Sequence, residues 1–209
     1  MNYLSQLIER YPSLSPLAVE IKKAYSLLEE TFSVGGKLLI AGNGGSAADA
    51  EHIAGELMKS FVKKRPPTAD FIEQLNKIDP EKAEYLGKTL QQGLPVIALP
   101  GQIALVTATV NDIDGDIIYA QQVYGYGGAG DVFLGISTSG NSKNVCYAMI
   151  TAKAMNMKTI ALTGASGGII KKYADVSITV PETETYKIQE LHLPIYHALC
   201  LMIEEHFYP

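Results

Sequence analysis

The chain has 209 residues, 47% apolar and 19% charged, a balance that fills a real core and excludes a disordered polymer. Seventeen Lys+Arg against twenty-two Asp+Glu leave a formal charge of −5, so no global basic field is available to hold nucleic acid by its phosphates. No apolar run reaches the ~18 residues of a membrane span, and Glu9 and Arg10 interrupt the N-terminus before a signal-peptide core forms, which predicts a cytoplasmic protein.

The length suits a single domain over 1–209. Residues 2–11 and 16–34 carry apolar side chains at helical spacing, with Ser15 and Pro16 as start signals and Gly35-Gly36 as the stop, so 1–36 reads as a helical hairpin. Lys37 to Ala41 is a short apolar run, Gly42 to Ser46 a glycine loop, and Ala47 to Phe61 a helix. Lys63-Lys64-Arg65-Pro66-Pro67 breaks that helix, and the polar stretch 68–93, with Asp79 as cap and Pro80 at the first helical position, reads as an inserted helical pair.

A strand is expected at Pro95 to Leu99, then helices near Gln102–Val110 and Asp116–Tyr124. Asp131 to Ile136 is a third strand, ending in Ser137-Thr138-Ser139-Gly140-Asn141-Ser142 and followed by a helix through Asn156. Strands at Lys158–Leu162 and Val176–Val180 and a helix over Thr183–His206 complete the chain. Nearly continuous apolar strands alternating with helices predict an α/β fold, a five-stranded parallel sheet covered on both faces. Cys146 and Cys200 sit inside apolar helical patterns and are expected to be reduced core residues.

Ligands of open α/β sheets sit beyond the carboxyl ends of the strands, against helix N-termini. Two loops fit: Asn43-Gly44-Gly45-Ser46, and Ser137 to Ser142. Both leave a strand, open a helix and consist of Gly, Asn and hydroxyl residues without Lys or Arg, which suits a phosphate monoester held by neutral donors and a helix dipole. Gly42-x-Gly44-x-x-Ala47 also matches the dinucleotide fingerprint, but the acidic residue expected about 20 positions on is missing, because residue 62 borders the Lys-Lys-Arg-Pro break.

His52 and Glu56 lie i, i+4 on the helix after the first loop, so they share a face beside the anion site. On the last helix Gln189 and His197 are eight apart, with His192 between them. A carboxylate and an imidazole facing a sugar phosphate are the groups that move a proton from carbon beside a carbonyl and shuttle it on oxygen. The same N and O donors would alternatively gather Zn²⁺ as a Lewis acid. The plain alternative for an i, i+4 His/Glu pair is a solvated helix face.

Taken together, Gly42-Asn43-Gly44-Gly45-Ser46-Ala47-Ala48-Asp49-Ala50, His52-x-x-x-Glu56, Asn111-Asp112, Gly135 to Ser142, Leu162-Thr163-Gly164 and Ile188-Gln189-Glu190-x-His192-x-x-x-x-His197 resemble the sugar isomerase (SIS) domain family, and within it the phosphoheptose isomerases. The resemblance implies a three-layer αβα sandwich, a homotetramer with sites at subunit interfaces, and conversion of sedoheptulose 7-phosphate to D-glycero-D-manno-heptose 7-phosphate. It implies phosphate contacts at Ser46, Ser137, Thr138, Ser139 and Ser142, with Asn43, Gly44, Gly45, Asp112 and Gln189 as further substrate contacts. It also implies a base at Glu56, its acid/base partner at His197, and zinc ligands at His52, Glu56, Gln189 and His197. A similar group, the replication-initiator-associating adaptors, keeps the fold but lacks the carboxylate and the final histidine, both of which are present here. The family's usual arginine four residues after the glutamate is replaced by Ser60, preceded by Lys59, and the insertion at 68–93 has no counterpart in the short isomerases.

Overall fold

A computed structural model describes residues 2–209. Helices α1 (Tyr3–Arg10) and α2 (Ala18–Ser33) are joined by 3-10 turns over Pro12–Leu17. The second helix starts two residues later than its apolar pattern predicts, because Pro16 and Leu17 belong to the preceding 3-10 segment. Strand β1 (Leu38–Ala41) leads into α3 (Gly45–Met58), and the inserted segment forms α4 (Ala69–Ile78) and α5 (Pro80–Thr89). There follow β2 (Val96–Ala98), α6 (Ile103–Asp112), α7 (Ile118–Tyr126), β3 (Val132–Ser137), α8 (Lys143–Ala154), β4 (Lys158–Thr163), β5 (Val176–Thr179) and α9 (Thr185–Phe207).

All four strand pairings are parallel, in the order β2-β1-β3-β4-β5. Successive side chains alternate between faces, so Leu38 and Ile40 join a core with α2, α3 and α9, whereas Leu39 and Ala41 join a second core with α7 and α8. This is the expected three-layer sandwich. The chain reverses its direction of winding between β1 and β3, which places the topological switch point between the two loops that leave those strands.

Helix α3 ends at Met58, three residues before its pattern predicts. Lys59 is extended (φ −138°, ψ −179°), and the N–H groups of Phe61, Val62 and Lys63 donate to the Glu204 carboxylate from α9 instead of continuing the helix. Arg65, within the basic run that ends the helix, is 1% exposed and pairs with Glu204 at 2.8 Å. The inserted helices pack mainly on one another. Ala83 is the one buried residue of α5, and α4 buries none. Gln91 and Gln92 tie the end of the insertion to Ser60 and Pro66, just beyond the helix that carries Glu56.

Candidate active site

Helix α3 begins two residues earlier than expected because Gly44 adopts φ +57°, a conformation that L side chains rarely occupy, and the chain turns straight into the helix. Gly42 lies so close to the first turn that a Cβ would come within 2.5 Å of the Ser46 carbonyl oxygen. Gly45 lies against the Gln189 side-chain amide of α9, which brings that predicted ligand to the first loop. Ser46 is buried in the first turn, while Asn43 is exposed. The Asn43 and Asn144 amides exchange two hydrogen bonds of 2.9 and 3.0 Å, and the Tyr119 hydroxyl donates to the Gly42 carbonyl at 2.6 Å. The first loop is thereby latched to the N-terminus of α8, where the second loop ends.

In that second loop Ser137 is buried, its hydroxyl 3.1 Å from the Ser142 hydroxyl, and it accepts from the Gly140 N–H at 3.1 Å. Ser139 accepts from the Asn141 N–H, and Thr138 is half-buried beside it. Gly140, at φ +66°, presses backbone to backbone on Gly167 and Gly168, so the loop that follows β4 fixes the turn. Ser142 occupies the N-cap of α8 without turning its hydroxyl back onto the helix. Hydroxyls and a helix N-terminus with its positive dipole end thus share one loop, the arrangement that holds an anion.

His52, Glu56 and His197 come together. His52 Nε2 lies 3.1 Å from Glu56 Oε1 and 3.5 Å from His197 Nε2. Burial draws the His197 pKa below its ordinary 6.5, His52 adds to that and Glu56 opposes it, so His197 is a neutral imidazole near pH 7. Lys59 Nζ donates to the other Glu56 oxygen at 3.2 Å. His52 Nδ1 lies 3.0 Å from the Tyr196 hydroxyl, which donates to Asp49 Oδ1 at 3.2 Å. A cleft lined by Tyr3, Gln6 and Arg10 of α1 also reaches His197.

Two imidazoles, a carboxylate and a nearby side-chain amide are donor types that suit zinc. Among the described residues no three or more His, Cys, Asp and Glu side chains stand ready-made as a metal cage. The donors meet in pairs through His52.

Asp112, exposed at the end of α6, accepts from the Asn111 amide. His192 is fully buried, and desolvation, opposed by the Thr163 backbone, lowers its pKa to about 4. It is a neutral core residue. Cys146 and Cys200 are free and buried, as expected, and His206 is exposed. The sequence reading missed Tyr196, Asn144 and Tyr119, and it left Lys59 and Asp49 without a role. Asp49 carried a signal, since positions 49, 52 and 56 share one helix face. Tyr119 and Asn144 carried none, because their partners lie 77 and 101 residues away.

Residues 86–164 match the SIS domain family model. The chain is 40% identical over 195 residues to the phosphoheptose isomerase of Helicobacter pylori, spanning 93% of this chain and 88% of that one. It is 31% identical to the phosphoheptose isomerase of Akkermansia muciniphila over 99% of this chain and 96% of that one. Among solved structures, a phosphoheptose isomerase from Francisella tularensis superposes with a TM-score of 0.77 at 31% identity, covering 97% of this chain and 95% of that one. The corresponding structure from Neisseria gonorrhoeae gives 0.74 at 33%, covering 95% and 94%.

Proposed function

Because the chain belongs to the phosphoheptose isomerase family of SIS-domain proteins, we propose that it is an aldose–ketose isomerase that converts sedoheptulose 7-phosphate to D-glycero-D-manno-heptose 7-phosphate through an enediol. The observation that carries the reading is the approach of Glu56, His52 and His197 to within 3.1 and 3.5 Å, on helices that flank two loops suited to a phosphate.

In this reading the phosphate takes hydroxyl and backbone donors from Ser137 to Ser142 and from the first loop, and Asn43, Asp112 and Gln189 orient the sugar. Glu56 takes the proton from C1 of the ketose and returns it at C2, while His197 moves protons between the two oxygens. A carboxylate does this from one face of the carbon, and a neutral imidazole can both accept and donate near pH 7. Lys59 holds Glu56 by one oxygen and leaves the other facing the histidines. A zinc ion held by His52, Glu56, Gln189 and His197 would supply Lewis-acid polarisation of the substrate carbonyl. A homotetramer that completes the sites at its interfaces belongs to the same proposal. Among the described residues no helix is long and apolar enough to cross a membrane.

The experiment is proton NMR of the protein with sedoheptulose 7-phosphate in D₂O, before and after chelation. The expected result is aldose signals with deuterium entering at the exchanging carbon, lost in Glu56→Gln. A folded wild-type protein that gives no exchange overturns the reading, and loss of exchange on chelation supports the metal.

A further inference from the structure

We infer that Asn144 is a positioning residue: from the first turn of α8 it sets the side-chain amide of Asn43 so that one Asn43 N–H is left free, between the two loops, to donate to an oxygen of the substrate. The inference rests on the isomerase reading of this site and deepens it.

Ser142 is the N-cap of α8 but makes no capping hydrogen bond, so the first N–H groups of the helix need another acceptor. Asn144 supplies one, its Oδ1 accepting from the Val145 N–H at 2.9 Å. A backbone N–H can only donate, so this contact fixes which end of the Asn144 amide is oxygen. Asn144 Nδ2 then donates to Asn43 Oδ1 at 3.0 Å, and Asn43 Nδ2 donates back to Asn144 Oδ1 at 2.9 Å. The Tyr119 proton, given chiefly to the Gly42 carbonyl at 2.6 Å, also reaches Asn43 Oδ1 at 3.2 Å. A flipped Asn43 would set oxygen against oxygen and nitrogen against nitrogen. Of its two amide protons, one goes to Asn144; the other meets no protein acceptor among the described residues, and Asn43 is exposed.

Little else holds this amide. Gly42, Gly44 and Gly45 surround Asn43, and glycine gives a loop its widest freedom. The Ser46 N–H donates to the Asn43 carbonyl at 3.0 Å, which fixes the backbone of the turn but not the side chain. Asn144 instead rides on a packed helix whose next residues, Val145 and Cys146, are buried. The helix that receives a phosphate at its start therefore also aims a donor at the opposite loop. An N–H held there suits a hydroxyl or carbonyl oxygen of a carbon chain whose phosphate lies at Ser137 to Ser142, and a small misplacement of such a group costs rate.

The test joins a spectroscopic readout to a double-mutant cycle on the full chain. In ¹H–¹⁵N spectra of the ligand-free protein, with the Asn43 side-chain peaks assigned by their loss in Asn43→Ala, the two amide protons should exchange with solvent at different rates. In Asn144→Ala they should exchange alike. With sedoheptulose 7-phosphate, kcat/KM should fall about 10- to 100-fold in Asn43→Ala and in Asn144→Ala. The double variant should be no slower than Asn43→Ala alone, because Asn144 acts through Asn43. A role confined to capping α8 would multiply the two losses instead. Multiplied losses, unchanged turnover in either folded single variant, or equivalent Asn43 protons in the wild type overturn the inference. A held Asn43 amide, released in Asn144→Ala, in a protein without turnover would sustain the positioning while removing the isomerase reading.

Discussion

Arg65 and Glu204 meet in the interior, Nη2 to Oε1 at 2.8 Å, with neither side chain exposed. Arg65 also donates to the carbonyls of Leu57 and Glu56 at 2.8 and 3.2 Å, and its guanidinium lies 4.7 Å over the Tyr208 ring. One buried cation thus closes the C-terminus of the helix that carries Glu56 and fastens it to the end of α9. Removing one member of such a pair leaves the other charge buried and unpaired, which costs about 3–5 kcal/mol. Arg65→Met or Glu204→Leu should each lose about that much in urea denaturation, and turnover should fall as the Glu56 helix loosens. The double substitution should recover a large part of the stability.

Glu204 also adds an acid limit. Burial alone would raise its pKa, but the N–H groups of Phe61 and Val62, and then Arg65, outweigh it and hold the carboxyl below its ordinary 4.5. A lowered carboxylate contributes stability above its unfolded value and loses it as the pH falls through the folded one. Glu204→Gln should therefore flatten the stability curve below about pH 4.5, as read from unfolding midpoints along an acid titration.

His192 acts at milder pH. Its folded value of about 4 lies below the ordinary 6.5, so between these limits the unfolded chain binds a proton that the buried ring refuses. The difference is worth about 3 kcal/mol of stability, present above pH 6.5 and lost as the pH falls to about 4. His192→Leu should remove this part of the pH dependence, measured as the difference in unfolding free energy between pH 7 and 4.5.

Two neighbouring glycines should respond differently to the same methyl group. In Gly42→Ala the new Cβ meets the backbone of Ser46 at 2.5 Å, and rigid backbone cannot yield, so overpacking should cost about 1–3 kcal/mol. In Gly45→Ala it meets the end of Gln189, 2.4 Å from Nε2, and a flexible side chain can swing away. Thermal unfolding should fall clearly for the first variant and little for the second, whose loss should appear in turnover.

The serine loop can be read through KM. Ser142→Ala removes a hydroxyl that no helix cap requires, and a hydrogen bond to a charged phosphate is worth about 1.5–3 kcal/mol. KM should rise about tenfold or more with kcat nearly kept. Ser137→Ala should additionally lower the melting temperature a little, because a buried hydroxyl that meets Ser142 and the Gly140 N–H is lost, while that N–H keeps the Ser137 carbonyl as acceptor.

The order and type of the elements were legible in the chain because apolar periodicity, glycine turns and the caps at Thr68 and Asp79 are local properties. So were the two loops, and the His52/Glu56 pair, whose i, i+4 spacing is geometry internal to one helix. What no local pattern contains is the partner across the fold. The Tyr196–Asp49–His52 contacts join residues up to 147 apart, the Asn43–Asn144 latch spans 101, and the Arg65–Glu204 pair, 139 apart, buries one member of the basic run. Each depends on how α9 and α8 lie against α3 and the first loop, and only the packed sheet, with its switch point between β1 and β3, decides that.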